Sequence, residues 1–255
     1  MKITILIDNT PHPGWISEHG LSLYIETEEI QILFDMGATD GFLHNAKKAG
    51  ITLTNTTRVL SHGHWDHGNG LIYLQEGKLI AHPSIFTQRF RDKDNSYLGL
   101  NMNKADLSKR FDLHLTKLPL WLTDQIVFLG EIPRKRKGKT NFHLEDFSPD
   151  NIFDDSAIAI KENNGIHIIT GCNHAGIFNL IHHAMNVTES QNIISISGGL
   201  HLKEINDELL EYIDLLKKYQ NLTLVPLHCT SPIVVNKLME SLHVITPKIG
   251  ETFHL

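Results

Sequence analysis

The chain has 255 residues, 41% hydrophobic and 20% charged, a globular balance that excludes a disordered or fibrous polymer. Lys and Arg total 23 against 29 Asp and Glu, so a formal charge of −6 leaves no general electrostatic case for nucleic acid or an anionic membrane surface. Two cysteines make no disulfide framework and suggest a reducing compartment, whereas 17 histidines raise the expectation of a metal site.

The opening run "KITILID" alternates and then fills in, as a strand does. It lacks the length and cleavage pattern of a signal peptide, and no stretch approaches ~18 uncharged apolar residues, so a cytoplasmic location with no membrane span is expected. "LSLYIET" and "IQILFD" read as a hairpin. A helix follows, capped by Thr39 or Asp40, with Lys47 and Lys48 in its last turn and Gly50 as its stop. "TRVLSH" is a strand, "GLIYLQEG" a short helical or extended piece, and "KLIAHP" another strand. Residues 83 to 119 are polar and mixed, and read as an irregular excursion that serves as a lid or insertion over the site. "LPLWLTDQIVFLGEIP" returns to strand character, and "RKRKGK" (134 to 139) is a basic loop. "SAIAIKENNGIHIITG" is a second hairpin turning at Asn163, Asn164 and Gly165. Then helices ("IFNLIHHAMNV", "INDELLEYIDLLKKY", "SPIVVNKLMESL") alternate with strands ("NIISISGG", "LTLVPLHCT"). In the last helix Ser231 is the expected cap and Pro232 the first helical residue. Nothing resembles a linker or a tandem repeat, so one mixed α/β domain over 1–255 is expected.

The informative pattern is where the strands stop. They stop at His62, at Cys172 and His174, at His201, and at His228, usually beside glycine. Ligand sites of α/β proteins gather outside strand ends, and glycine there lets the backbone turn sharply. The densest instance is "VLSHGHWDHGNGL", which brings His62, His64, Asp66 and His67 within six positions. Three imidazoles and a carboxylate are too many for one ion from so short a loop, but they suit two adjacent ions. His62 and His64 would face one ion, and Asp66 and His67 the other. Imidazole and carboxylate suit zinc first, with iron or manganese as alternatives. Two close ions can clamp an anionic substrate, so a small anionic molecule is the expected partner. Trp65 lies inside this loop and is expected to wall a pocket without acting as a ligand.

This loop is also the residue pattern of the metallo-β-lactamase superfamily, which the chain resembles over nearly its whole length. "ILFDMG", "SHGHWDHGNG", "IITGC" and "PLHC" occur in the superfamily's order. The resemblance implies a four-layer αββα sandwich with two divalent ions at one edge between the sheets. "SEHGLSLYIE", "GEIPR", "FDDSAIAI", "TGCNHAGI" and "GGLHL" narrow it to the branch that includes the 7,8-dihydropterin-6-methyl-4-(β-D-ribofuranosyl)-aminobenzene-5'-phosphate synthases. By this resemblance His62, His64, Asp66, His67, His174 and His228 are the expected ligands. Asp35, in "FDMG", matches a carboxylate that braces a metal-bound histidine. His19, in "SEHGLS", is carried over as a substrate-contacting and catalytic residue, alongside Asp66 and His201. His201 either packs at the Gly198–Gly199 turn or reaches the pocket. Arg134 either holds a substrate anion or is a solvated loop residue.

Two departures from the superfamily pattern stand out. Cys172 replaces an aspartate that bridges the two ions, and the Gly-His ligand motif upstream is missing, with Asp154 and Asp155 near its place. Cys172 and Asp155 are therefore weaker ligand candidates. The resemblance implies a binuclear hydrolase in which metal-bound hydroxide attacks a small phosphorylated, phosphodiester or ester substrate. A synthase-type transferase is the alternative within the branch. A sensor that holds metal or ligand without turnover is a third reading, favoured by the missing aspartate.

Overall fold

The computed structural model describes residues 1–136 and 140–255, so part of the basic loop, 137–139, lies outside the described residues. The chain opens with strands β1 (Lys2–Ile7), β2 (Ser22–Glu26) and β3 (Gln31–Phe34), helix α1 (Gly41–Lys48) and strand β4 (Thr57–Val59). Next come the short helix α2 (Trp65–Gly68), a 3₁₀ turn at Asn69–Tyr73, β5 (Gly77–Ala81), a 3₁₀ turn at Pro83–Phe86, β6 (Arg89–Arg91), α3 (Lys104–Ser108) and β7 (Phe111–Leu115). The second half contains β8 (Leu120–Trp121), β9 (Ile126–Phe128), β10 (Phe142–Leu144), β11 (Ala157–Glu162), β12 (Gly165–Thr170), α4 (Ile177–Thr188) and β13 (Ile193–Gly199). It ends with α5 (Asp207–Leu216), β14 (Thr223–Leu227), α6 (Pro232–Met239), β15 (His243–Val244) and β16 (Thr252–His254).

Two seven-stranded sheets result, ordered β16-β1-β2-β3-β4-β5-β7 and β15-β14-β13-β12-β11-β9-β8. The apolar residues divide into three buried layers. Ile3, Ile5, Ile25 and Phe34 of the first sheet meet Phe128, Ile158, Ile169 and Val225 of the second. Leu6, Leu33 and Leu79 bury the outer face of the first sheet with Phe42 and Ala46 of α1. Ala159, Ile168 and Leu224 bury the outer face of the second with Leu180, Ile213 and Val234 of α4, α5 and α6. The order helix, sheet, sheet, helix is the four-layer αββα arrangement expected from the sequence. A bulge between Ile5 and Ile7 shifts the alternation of β1, which is why "KITILID" fills in after alternating.

The parallel runs β3–β4–β5 and β12–β13–β14 matter most for function. Their C-terminal ends meet at one edge, because His67, beyond β4, has Nε2 only 3.2 Å from the Cys172 Sγ beyond β12. The 83–119 region is not wholly irregular. "FDLHL" forms β7, parallel to β5, and β6 pairs with β10 in a separate two-stranded ribbon. β7 escapes a sequence reading because it is an edge strand whose Asp112 and His114 are polar, inside an already polar stretch. Ser231 takes the expected N-cap position before Pro232, but its side chain makes no capping bond. Its hydroxyl donates to Lys203 O at 2.8 Å, tying α6 to the loop after β13. Among the described residues no helix is long and apolar enough to cross a membrane.

Candidate metal centre

Six strand ends deliver polar groups to the shared edge. Four of them use a non-glycine residue in the left-handed region: Asp35 (φ 55°), Asn173 (φ 55°), His201 (φ 51°) and His228 (φ 50°). Such conformations cost free energy and persist where the surrounding structure demands them.

Asp35 is the hub. It is fully buried, and its Oδ1 accepts the Ser61 N–H at 2.8 Å. Its Oδ2 accepts the Ser61 hydroxyl at 2.8 Å and the His67 Nδ1–H at 2.6 Å. With Ser61 Oγ donating to Asp35, it accepts from His62 Nδ1 at 2.9 Å. Both histidines therefore carry a proton on Nδ1 and turn Nε2 towards the shared edge. His228 reaches the same state through Asn9, whose Oδ1 lies 2.8 Å from His228 Nδ1 and also accepts the Gly20 N–H.

The ring atoms and carboxylate at that edge fall into two groups. His62, His64 and His174 bring ligand nitrogens within 4.8 Å of one another. Within that group His62 Nε2 and His64 Nδ1 stand 2.9 Å apart, and His174 Nε2 is buried without a partner. The second group is Asp66, His67 and His228. His67 Nε2 is 3.1 Å from His228 Nε2, and Asp66 Oδ2 is 3.5 Å from His228 Nε2 and 3.9 Å from His67 Nε2. Ligand atoms bound at about 2.0–2.1 Å in a tetrahedron stand roughly 3.3 Å apart, so both groups have the spacing of a coordination shell. In each group the donors converge on one point, and His174 Nε2 has no protein partner at all. A cation shared by all the donors of a group satisfies them together, and on this ground the residues fit a divalent metal. Cys172 Sγ lies within 4.8 Å of ligand atoms of both His62 and His67, between the two groups.

The electrostatics agree. Burial, then repulsion from neighbouring imidazoles, holds His62, His64, His174 and His228 well below the usual histidine pKa. They are neutral and ready to ligate near pH 7. Burial alone would lower His67 too, but Asp35 and Asp66 outweigh it and raise it to about 9. Burial pushes the Cys172 thiol up. Burial also lowers His201 to about 4, so its ring is neutral near pH 7.

The other sequence candidates take definite places. His19 receives the Asn9 amide on Nδ1 at 3.1 Å, which leaves Nε2–H to hold Asp66 Oδ2 at 3.2 Å. His19 thus positions Asp66 while its exposed ring lines the cavity. The His201 ring sits 4.5 Å from that of His174, on the cavity wall and not packed away at the Gly198–Gly199 turn. Asp155 is not in a donor group; its Oδ2 accepts the Ala175 N–H at 2.8 Å. Arg134 spends its guanidinium on the carbonyls of His174 (2.5 Å) and Ile152 (2.6 Å), so it is not a solvated loop residue.

The groups open into a cavity of about 820 Å³ walled by Trp65, Phe142, His201, Cys229 and others, with Arg91 and Lys203 at its margin. A smaller lobe of about 380 Å³ adjoins it across Phe142, His174 and His201, and is lined by Arg134 and Phe153. Sequence reasoning missed Asn9, Asp8, Arg89 and Phe142. Asp8 and Asn9 carried a usable signal, a polar pair ending a buried strand as the histidines do; Asp8 Oδ1 accepts the His228 N–H at 2.6 Å. Arg89 and Phe142 carried none.

Gly171 lets β12 reach the centre. A Cβ there would lie 2.0 Å from Ser61 Oγ and 2.9 Å from Asp35 Oδ2. Gly171→Ala is expected to destabilise the protein by about 1–3 kcal/mol through overpacking and to weaken metal binding. Chemical denaturation and metal titration check this, and wild-type values in both would contradict the contact.

No family model matches the sequence. A Methanocaldococcus jannaschii protein of uncharacterised role is 31% identical over 268 aligned residues, covering 98% of each chain. The 7,8-dihydropterin-6-methyl-4-(β-D-ribofuranosyl)-aminobenzene-5'-phosphate synthase of the same organism is 31% identical, covering 89% of this chain and 86% of its own. Among solved structures, a metal-dependent hydrolase of the β-lactamase superfamily superposes with a TM-score of 0.89 at 26% identity, covering 100% of this chain and 99% of that one.

Proposed function

This chain belongs to the metallo-β-lactamase superfamily, and from that premise we propose that it is a binuclear metal-dependent hydrolase acting on a small anionic ester, phosphomonoester or phosphodiester. The observation that carries the reading is the pair of buried donor groups, His62/His64/His174 and Asp66/His67/His228, whose ligand atoms converge at coordination-shell spacing. Zinc is the first expectation for that donor set, with iron or manganese as alternatives. When bound, two such ions supply Lewis acidity and lower the pKa of water toward neutrality.

The chain's own residues do the rest. Asp35 and Asn9 hold a proton on Nδ1 of His67 and His228 and orient Nε2 of each ring towards the ion position; His67 gives up its second proton when an ion binds. His19 holds the Asp66 carboxylate in place. Arg91 and Lys203 favour an anion at the cavity margin. His201, neutral near pH 7, offers a hydrogen-bonding ring to substrate within the cavity. Arg134 holds the His174 carbonyl and presents positive charge to the smaller lobe.

A second reading, a synthase-type transferase, is favoured by the 31% identity with the archaeal synthase. Elemental analysis of untagged protein, together with turnover of bis(4-nitrophenyl) phosphate, phosphomonoesters and carboxylic esters, tests the proposal. About two ions per chain and hydrolysis of one class support it. Two ions with no hydrolysis of any class would favour the synthase or a sensor, and a chain that takes up no metal would refute the metalloenzyme reading altogether.

A further inference from the structure

The segment "FDDS", residues 153–156, belongs to neither donor group, yet it grips both loops that carry the first histidine group. Asp154 and Asp155 are each 1% exposed, and their carboxylates diverge. Asp154 Oδ2 accepts the N–H of Gly63 at 2.7 Å, and Gly63 is the residue between His62 and His64. Asp155 Oδ2 accepts the N–H of Ala175 at 2.8 Å, directly after His174. The N–H of Ser156 donates to the carbonyl of Ser61 at 3.0 Å, directly before His62. Three consecutive residues thus tie together loops that come from opposite sheets.

The clamp is itself held rigid. Arg89, 1% exposed, forks onto Asp154 with Nη2 at 2.8 Å and Nη1 at 3.2 Å. Its Nε faces Asp150 Oδ2 at 3.3 Å. Arg134 bridges the carbonyls of His174 and Ile152, so the His174 loop is bound to the clamp segment from both sides. Gly63 cannot retreat, because a Cβ there would stand 2.0 Å from the carbonyl oxygen of Ile85. A buried charged carboxylate bonded to a backbone N–H is a strong, directional tether.

We propose that Asp154 and Asp155 are positioning residues that set the separation of His62 and His64 from His174, and so tune the first ion's affinity and leave the second ion's unchanged. The inference rests on the two-ion reading above. The second group depends on Asp35, Asn9 and His19; Asp35 also steadies His62 through Ser61, but neither Asp154 nor Asp155 bonds a residue of the second group.

The test is cobalt(II) binding to metal-stripped protein, followed by absorbance and by competition with a chromophoric chelator. His174→Ala and His228→Ala give the reference signatures for loss of the first and the second ion. Asp155→Ala is expected to weaken one class of site by roughly 10- to 100-fold, as losses of ligand-orienting groups do, with the signature of His174→Ala. Asp155→Asn keeps an oxygen for the Ala175 N–H and is expected to restore most of the affinity. Asp154→Asn keeps the bond to Gly63 but weakens the fork to Arg89, and should fall between. Equal weakening of both ions, or wild-type affinity for both in Asp155→Ala, would overturn the proposal. If Asp155→Ala does not fold, Asp154→Asn carries the same decision, since its volume is unchanged. Wild-type protein that binds no cobalt would fail the two-ion reading itself, a distinct result.

Discussion

Replacing Asp66 with alanine is expected to remove one of two metal equivalents and to cut turnover by on the order of 10³-fold, the worth of several kcal/mol of charge stabilisation. Asp66 is the one carboxylate in the second donor group, with His19, His228 and His67 nitrogens at 3.2, 3.5 and 3.9 Å. Without it, two bare imidazoles must hold the ion with no compensating negative charge. The fold should survive, because the backbone carbonyl of Asp66, which accepts the Leu21 N–H at 3.3 Å, is kept. Circular dichroism and metal content on the same sample decide the matter. Full turnover with two ions retained would sink the assignment of Asp66.

Asp35→Asn is the second large effect, and it reaches both stability and metal. An amide in place of Oδ2 turns an acceptor into a donor against the His67 Nδ1–H and the Ser61 hydroxyl. His67 can then keep its place only by moving its proton to Nε2, which blocks the ligand position. The left-handed backbone is not at issue, since asparagine tolerates φ near 55°. Breaking a fully buried charged pair costs about 3–5 kcal/mol. Loss of a ligand-orienting carboxylate costs roughly 10- to 100-fold in metal affinity.

The pH dependence of that loss has a defined sign in metal-free protein. His67 is raised to about 9 in the folded state, so its contribution is complete below the ordinary histidine value of about 6.5 and fades as pH rises through 9. The destabilisation by Asp35→Asn should therefore be largest in acid and shrink above pH 9. Denaturation of metal-free wild type and variant across that range checks it. A pH-independent difference would mean that Asp35 acts only through Ser61.

Much of the centre was legible because its signals are local. His62, His64, Asp66 and His67 sit on one short loop, and His174, His201 and His228 each end an apolar strand, so residue type and position suffice to mark them. Asp155 shows where that logic stops. Its place near a missing ligand motif suggested coordination, yet its carboxylate holds a backbone N–H, because a buried acid next to a turn is drawn to the nearest unpaired donor. Phe142 was invisible for a related reason. It belongs to a three-residue strand whose partner, β6, lies in a polar excursion without readable periodicity.

The amino-acid order by itself determined the apolar strands, the mixed α/β layering, the ligand types and the loop that pairs them, since periodicity and glycine placement act over a few residues. Only the tertiary structure decided which histidines share a group, which tautomers they hold, and what braces them. Those facts depend on contacts such as Asn9 with His228, 219 residues apart, and Gly63 with Asp154, 91 apart. Such contacts arise from two sheets packing face to face and bringing their strand ends to one edge. A hydrogen bond across that edge leaves no trace in local sequence, because either partner alone is an ordinary polar residue.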